Sequence, residues 1–282
     1  MKILVTGANG LVGRACQRNL QNYDAEVILI SRKSPLFRNF KWFKSFEEFS
    51  IQREYQEIDL LIHCSAATPN NTISDDIFNS NRKIDNQLVK MASKKDIKHI
   101  VYLSTMAIYG EIESKTISEK NIPNKPTPYG LSKYIGEEQI STFASIKDIK
   151  STILRLPGVV GQGMPNIFFK RCFRDINEGK LIKIQSKNSL FNNAVLDEDI
   201  LKTCLNCFEL QKEKNTILNQ HSKDTVKLIE FLELIANYLN KDLLFYETDE
   251  CNPPFIIKNQ KNDSLIITRN IKEMIMKYSL VF

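Results

Sequence analysis

Short apolar runs and amphipathic segments alternate along the first half of the chain. Apolar runs that end at glycine or polar residues predict strands, at residues 3–5, 27–30, 60–62, 100–103 and 152–154. Segments with apolar residues every three or four positions predict helices between them, at residues 11–20, 79–93 and 129–143. Strands that are apolar on both faces and separated by helices indicate an α/β fold with a doubly wound parallel sheet.

The pattern becomes less regular after Pro157, where glycines and prolines predict a turn-rich stretch. Beyond it the spacing predicts helices at 167–178, 197–210 and 225–239, a short strand at 181–184, a loop at 252–254 and a terminal amphipathic helix. We therefore predict one domain over residues 1–160, on which a returning segment at about 192–210 also packs. Residues 161–191 and 211–282 are expected to form a smaller C-terminal α/β lobe that binds substrate.

The composition is that of a globular protein, with 282 residues, 42% hydrophobic and 26% charged. The chain contains no apolar stretch long enough for a transmembrane helix, and the first apolar run is too short for a signal peptide. We therefore expect a cytoplasmic protein with reduced thiols and no membrane partner.

The charged residues do not favour nucleic-acid binding. Lysine plus arginine (39) exceed aspartate plus glutamate (33) by only six, and the basic residues are interleaved with acids. The lysine-rich stretch at 90–98 has helical spacing around Met91 and Ile97, so we interpret it as a solvated helix face. The small positive excess suits an anionic small-molecule ligand.

The six cysteines do not predict a metal site. Only Cys204 and Cys207 are close in sequence, and neither a second pair nor a histidine is near them. Their helical surroundings predict two small apolar side chains on a buried helix face.

Three glycines follow the first strand and open the first helix, in the pattern G-x-x-G-x-x-G. A tight strand-to-helix turn and the close approach of a diphosphate both require positions without a side chain. The helix N-terminus then offers free N–H groups to the phosphates. We predict cofactor contacts from Gly7, Asn9, Gly10, Leu11, Val12 and Gly13.

Tyr129 and Lys133 are four residues apart in a predicted helix, so both side chains lie on one face. A free phenol has a pKa near 10, too high for efficient proton transfer at neutral pH. We expect the neighbouring ammonium to lower the pKa of Tyr129 and to make it a general acid/base.

The glycine loop, this pair and the segment at 103–110 resemble the extended short-chain dehydrogenase/reductase family of NAD(P)-dependent nucleotide-sugar epimerases, dehydratases and reductases. The resemblance implies a Rossmann-type sheet. It also implies that Thr105 and Tyr129 bind the reacting oxygen while Lys133 holds the cofactor ribose. Family members often dimerise through two long helices, here those with Asn81 and Tyr129, so a homodimer is expected.

Further segments match the same family, at 61–67, 155–161 and 193–200. The resemblance implies cofactor contacts from His63, Cys64, Ser65, Ala66, Asn81, Ser104, Pro157 and Val159. Two of these have simpler interpretations: His63 as a buried histidine satisfied by backbone, and Asn81 as a structural residue.

The second predicted strand ends in Ser31, Arg32 and Lys33, without the acidic residue that normally accepts the adenosine ribose hydroxyls of NAD. These side chains suit a 2′-phosphate, and Arg14 adds positive charge. We therefore favour NADP(H), with NAD(H) left open if Arg32 and Lys33 are only surface charges.

The residues after Thr105 narrow the reaction. Family 4,6-dehydratases carry an Asp-Glu pair where this chain has Met106 and Ala107, and bifunctional epimerase-reductases carry a cysteine at the second position. A 4-epimerase or a 4-ketoreductase remains. The residues predicted to bind substrate are Thr105, Met106, Ala107, Asn166 and Lys170.

The nature of the substrate stays open at this point. Family members often bind the nucleotide diphosphate with an arginine where this chain has Asn192, so a carbonyl substrate without a nucleotide is an alternative. A catalytically silent dinucleotide-binding sensor or scaffold is another. Such proteins commonly lose the tyrosine or the lysine, and the presence of both favours an enzyme.

Overall fold

The computed structural model describes residues 1–69, 74–248, 255–260 and 263–279. Within them the strands are β1 (Lys2–Thr6), β2 (Glu26–Ile30), β3 (Lys41–Phe43), β4 (Glu57–His63), β5 (Asp96–Thr105), β6 (Thr116–Ile117), β7 (Lys150–Leu156), β8 (Gly158–Val160), β9 (Ile182–Ile184), β10 (Leu190–Phe191), β11 (Ala194–Leu196), β12 (Asn215–Asn219), β13 (Val226–Lys227), β14 (Phe245–Glu247) and β15 (Ile256–Ile257). The α-helices are α1 (Leu11–Leu20), α2 (Phe46–Ser50), α3 (Ser74–Ala92), α4 (Pro128–Lys147), α5 (Phe168–Asn177), α6 (Asp197–Leu210), α7 (Leu228–Leu239) and α8 (Ile271–Ser279).

Seven of these strands form one parallel sheet in the order β12-β7-β5-β4-β1-β2-β3. The order reverses at β1, so the loops after β1 and β4 diverge to opposite faces and leave a crevice between their carboxyl ends. This is the Rossmann strand order, and the predicted doubly wound sheet is confirmed. The edge strands β3 and β12 were not predicted.

Helices cover both faces of the sheet because successive side chains of a strand point to opposite sides. Ile3 and Val5 of β1 pack in a core with α1 and α6. Leu4, between them, packs in the other core with α2, α3 and α4. The resulting three layers place the carboxyl ends of β1, β4 and β5 along one rim.

A further core lies in the C-terminal part of the chain, among α5, α7, α8 and the short strands near them. Its aromatic centre includes Phe169, Phe173 and Phe231, all at most 2% exposed. Leu11 of α1 packs against this core and joins it to the glycine loop. The division of the chain into two domains stays a prediction.

Most predicted helices are confirmed, with α1 and α6 at their predicted limits. The interpretation of 90–98 as one helix face is wrong, because α3 ends at Ala92 and Ile97 is buried within β5. Cys204 and Cys207 are fully buried, as predicted. The predicted loop at 252–254 lies outside the described residues. In the part of the chain that is described, no helix has the length and apolar character to span a membrane.

Candidate active site

The glycine loop connects β1 to α1 and is packed tightly against its surroundings. Gly7 has φ +64°, and a Cβ there would lie 2.6 Å from the backbone nitrogen of Ser65 after β4. A Cβ on Gly13 would lie 2.3 Å from the carbonyl oxygen of Gly7. Both positions therefore require glycine, as the spacing predicted.

The N-terminus of α1 is free to bind an anion. Its cap residue, Gly10, contributes no side-chain hydrogen bond, and the first turn holds no acidic residue. The first N–H groups of a helix have no partner inside the helix. The turn therefore fits a diphosphate. Leu11 and Val12 point into the hydrophobic cores, so their contribution to such a site comes from the backbone.

Asn9 ties the glycine loop to the loop after β2. Its side-chain nitrogen donates to the carbonyl oxygens of Lys33 (2.9 Å) and Ser34 (2.8 Å). The backbone of Ser31 is held by β3, whose Trp42 indole donates to its carbonyl at 2.7 Å. Arg32 and Lys33 are exposed and form no ion pair with any described residue. Two cations without an acidic partner among the described residues therefore stand just after the end of β2.

The Arg14 side chain hydrogen-bonds backbone carbonyl oxygens and does not contact the loop after β2 in any bond of the described residues. Its guanidinium donates to the carbonyl oxygen of Asn9 at 3.0 Å and to that of Gln162 at 3.4 Å. It joins the glycine loop to the turn-rich stretch after β8.

His63, at the end of β4, is fully buried and bound by side chains. Its Nδ1 lies 2.8 Å from the Thr6 hydroxyl, its Nε2 lies 3.5 Å from Asp85, and its ring stacks on Tyr102. Burial lowers the pKa of His63, so the ring is neutral at pH 7. His63 is thus a buried structural histidine, as the simpler interpretation of the sequence proposed, but its partners are side chains and not the backbone. The ring has no surface on the crevice, so any contact with a cofactor comes from the backbone.

Asn81 is a structural clamp. Its side-chain oxygen accepts from the backbone N–H of Ala67 at 2.7 Å, and its nitrogen donates to the carbonyl of Ala67 and to the Ser132 hydroxyl. It thereby fastens the loop that carries Cys64, Ser65 and Ala66 to α4. These three residues are partly exposed beside the glycine loop.

Thr105 and Tyr129 meet at the rim of the sheet. Thr105 ends β5 and caps the short 3-10 helix Met106–Tyr109 by accepting from the backbone N–H of Ala107. Pro128 opens α4, and a Cβ on Gly130 would lie 2.1 Å from the Ala107 carbonyl oxygen, so the helix start is pressed against this turn. A hydrogen-bond interaction with the Thr105 hydroxyl acts to lower the pKa of the Tyr129 phenol, so the two groups lie close together. The structure thus brings together the two predicted catalytic hydroxyls.

The predicted effect of Lys133 on Tyr129 is contradicted. Burial raises the pKa of Tyr129 to about 12, and only the bond with Thr105 acts in the opposite direction. The ammonium of Lys133 instead lies 3.8 Å from the ring centroid of Tyr102, a cation–π contact. The phenol is therefore protonated at neutral pH, the form in which it donates a proton.

Ser104 belongs to a buried network beneath the catalytic residues. Its hydroxyl donates to the Glu137 carboxylate, which also accepts from the Arg155 guanidinium. Ser104, Glu137 and Arg155 are each at most 4% exposed. The side chain of Ser104 therefore serves this network and not the predicted cofactor contact.

A cavity of about 300 Å³ opens beside Thr105. Its described lining residues are Thr105, Met106, Leu156, Pro157, Gly158, Asn193, Phe255 and Ile257. None of them is charged. Ala107 lies next to Met106, and Val159 packs against the core over the sheet.

Two predicted substrate residues lie away from this cavity. Lys170 points back along α5 and donates to the carbonyl of Met164 at 3.3 Å. Asn166 is exposed, and its carbonyl accepts from Arg171. Neither residue lines the cavity beside Thr105: Asn166 lies in the segment before α5, and Lys170 is bound to that same segment.

Asn192 occupies the position where the family often has an arginine, and here its side chain binds the backbone of β15. Its side chain donates to the carbonyl of Ile257 at 2.8 Å and accepts from the N–H of the same residue at 2.9 Å. This pair of bonds holds β15 over the cavity.

Several residues of the site escaped the sequence analysis. Asp85 follows Asn81 by four residues and Glu137 follows Lys133 by four, so helical spacing was a usable signal for both. Phe255 and Ile257 have no local signal, since only the fold of the C-terminal part brings them to the rim. Among the described residues, no group of three or more potential metal ligands converges.

The sequence profile of the NAD dependent epimerase/dehydratase family matches residues 3–192. The chain belongs to this family. The match covers the glycine loop, Thr105, Tyr129 and Lys133.

Individual relatives are distant. An uncharacterised protein of Methanocaldococcus jannaschii is 25% identical over 265 residues, covering 85% of this chain and 81% of the relative. An uncharacterised UDP-glucose epimerase of Bacillus subtilis is 26% identical over 206 residues, covering 65% of each chain. The solved UDP-glucuronic acid 4-epimerase of Bacillus cereus, in complex with UDP-glucuronic acid and NAD, superimposes with a TM-score of 0.78 at 21% identity, covering 100% of this chain and 99% of that one. This last likeness shows the fold.

Proposed function

We propose that this protein transfers hydride between a nicotinamide dinucleotide and C4 of a nucleotide-linked sugar, as a 4-epimerase or a 4-ketoreductase. One observation carries the proposal: Thr105 lines a cavity at the carboxyl end of β5, and its hydroxyl acts on the phenol of Tyr129, which lies one helical turn before Lys133. Two donors converging on one point suit a carbonyl oxygen whose negative charge grows during hydride addition.

The chain's own residues account for the proton. The Tyr129 phenol, protonated in the free protein, donates to the substrate oxygen when a carbonyl is reduced, and takes the proton back when an alcohol is oxidised. Thr105 hydrogen-bonds the same oxygen and orients it. The nicotinamide, when bound, accepts or supplies the hydride. Lys133 would hold its ribose, and the N–H groups of α1 its diphosphate.

The cavity supports simple hydride chemistry over water elimination. A 4,6-dehydratase needs an acid and a base beyond the tyrosine. The described lining holds no ionisable side chain: besides Thr105 it offers the amide of Asn193, the thioether of Met106 and apolar groups. Thr105 and Tyr129 are sufficient for epimerisation or reduction.

We propose NADP(H) as the cofactor, with NAD(H) as the alternative. The unpaired charges of Arg32 and Lys33 at the end of β2 suit a 2′-phosphate, and no acidic residue stands among them to bind a free ribose hydroxyl pair. The Bacillus cereus enzyme binds NAD, so the preference must be measured.

A nucleotide sugar is proposed as substrate because the named relatives act on UDP-sugars. The replacement of the family's arginine by Asn192 means that other groups bind the diphosphate. We also propose a homodimer that forms through α3 and α4, the helices that carry Asn81 and Tyr129.

The first experiment identifies the nicotinamide in the protein as purified, by denaturation and chromatography of the released nucleotide. The second incubates the protein with UDP-glucose, UDP-galactose or UDP-glucuronic acid, and separately with NADPH and a UDP-4-keto sugar. Retained NAD(H) with interconversion of a 4-epimer pair identifies an epimerase. An empty site with consumption of NADPH identifies a ketoreductase.

Tyr129→Phe is the matched control in both assays, since it removes only the hydroxyl. Dinucleotide binding without turnover of any of these sugars would reject the proposed substrate class. It would favour the silent dinucleotide-binding alternative.

A further inference from the structure

Four charged side chains are buried where α3 and α4 meet the sheet: Asp85, Lys133, Glu137 and Arg155 are each at most 4% exposed. Buried charges are tolerated only when each has a partner. Glu137 and Arg155 satisfy one another, with Arg155 Nη2 2.7 Å from Oε2 and Nε 3.1 Å from Oε1. This pairing leaves Asp85 as the main anion that acts on Lys133, while Asp85 also lies within ion-pair distance of Arg82.

Asp85 is held in place from three elements. The Tyr102 hydroxyl of β5 donates to its Oδ2 at 3.1 Å, and His63 of β4 places Nε2 3.5 Å from its Oδ1. Arg82, one turn earlier on α3, has Nη1 3.9 Å from Oδ2. On the fourth side is α4, where a Cβ on Gly136 would lie 2.5 Å from Oδ2. Glycine at that position makes room for the carboxylate between the helices.

Tyr102 connects this carboxylate to Lys133. The Lys133 ammonium lies 3.8 Å from the ring centroid of Tyr102, whose hydroxyl bonds Asp85. The face of the Tyr102 ring attracts the Lys133 ammonium, and the hydroxyl of the same ring donates to the Asp85 carboxylate. Three side chains from three elements are thus arranged as cation, ring and anion.

We propose that Asp85 is the counter-ion of Lys133 and a positioning residue of the active site, which keeps the ammonium charged and seated on Tyr102. The inference rests on the proposed function at one point, the assignment of Lys133 as a residue that binds the cofactor. The groups that face Asp85 are His63, Arg82, Tyr102 and Lys133. Near Lys133 the other titratable groups are Glu137 and the Cys64 thiol.

The electrostatics agree with this geometry. Burial lowers the pKa of Lys133, and the charge of Asp85 is the largest influence that opposes it. Burial also acts to raise the pKa of Asp85, but His63 and Lys133 outweigh it and keep that pKa below its ordinary value. Removing the carboxylate should therefore take away the largest support of the ammonium and leave only the weaker influence of groups such as Glu137.

The direct test measures the titration of Lys133 by NMR, in protein carrying lysine isotopically labelled at the ε carbon, with Lys133→Met to assign the signal. In Asp85→Asn, which keeps the shape of the side chain and removes its charge, we expect the Lys133 midpoint to move to lower pH. Asp199→Asn is the control, because Asp199 is an equally buried carboxylate on α6 outside the site. If Asp85→Asn does not fold, Asp85→Ser makes the same change with a smaller side chain.

The second readout is the affinity for NADPH and NADH as a function of pH. An opposite charge at short range moves a midpoint by about one pH unit or more, so affinity in Asp85→Asn should fall about tenfold at a pH between the two midpoints. It should recover as the pH is lowered, whereas a merely structural defect would weaken binding equally at every pH. A folded Asp85→Asn with an unchanged Lys133 titration overturns the proposal. Failure of the parent protein to bind either dinucleotide overturns the proposed function instead, since the titration needs no ligand.

Discussion

The Glu137 carboxylate and the Arg155 guanidinium form a two-pronged ion pair inside the protein, with side chains 2% and 4% exposed. Glu137 lies on α4 one turn after Lys133, and Arg155 lies on β7. The pair therefore fastens the helix that carries Tyr129 to the sheet beneath it, and the position of the catalytic residues depends on it.

Glu137→Ala should lower the free energy of unfolding by about 3–5 kcal/mol, because it leaves the Arg155 charge buried without its partner. Urea denaturation measures this change. The control is Glu111→Ala, which breaks an exposed ion pair with Lys125 and should leave stability close to that of the parent. Equal losses in the two variants would contradict the structural role of the buried pair.

Tyr129→Phe should reduce kcat by about 10²–10⁴, the range that general acid/base catalysis contributes. NADPH or NADH binding should stay close to that of the parent, because only a hydroxyl is lost. Turnover of the substrate identified by the sugar screen and fluorescence titration of the dinucleotide measure the two effects. Tyr238→Phe, on the exposed face of α7, is the control. Undiminished turnover in Tyr129→Phe would refute the assigned role.

The stability of the protein should fall as the pH is lowered from about 6.5 towards 4, in part because of His99. Burial lowers the pKa of His99 to about 4. The unfolded chain therefore binds a proton in this window before the folded protein does, which favours unfolding by up to about 3 kcal/mol. His63, whose pKa burial also lowers, acts in the same direction.

Urea denaturation at a series of pH values tests this expectation. His99→Gln, whose amide can keep the bond to Thr152, should flatten the pH dependence without removing it. His221→Gln, which removes a partly exposed imidazole, should retain the slope of the parent. An unchanged slope in His99→Gln would show that other groups govern the acid response.

Arg32→Ala should weaken NADPH binding about tenfold and leave NADH binding unchanged, because one charge-assisted bond to a 2′-phosphate is lost. Titration of both dinucleotides measures the ratio of affinities. Arg38→Ala removes another exposed arginine from the same loop and should change neither. If the parent binds NADH as tightly as NADPH, the cofactor preference proposed here is wrong.

The local sequence pattern was sufficient to predict those elements whose conformation depends on neighbouring residues only. The apolar run and glycines around Gly7 and Gly13 required a strand, a tight turn and a helix in that order. The spacing of Tyr129 and Lys133 placed them on one helix with proline at its start. The spacing of apolar residues and the conformational needs of glycine and proline are visible within about ten residues, so they can be recognised without knowing the fold.

The tertiary structure alone decided what surrounds those residues. The sequence suggested that Lys133 would act on Tyr129, but packing against β5 sets its ammonium on Tyr102, and burial raises the pKa of the phenol instead. Likewise His63 and Ser104 turn out to serve buried networks, and Ile257 reaches the cavity from far along the chain. Solvation and charge depend on every element packed around a group, and no spacing within one segment carries that information.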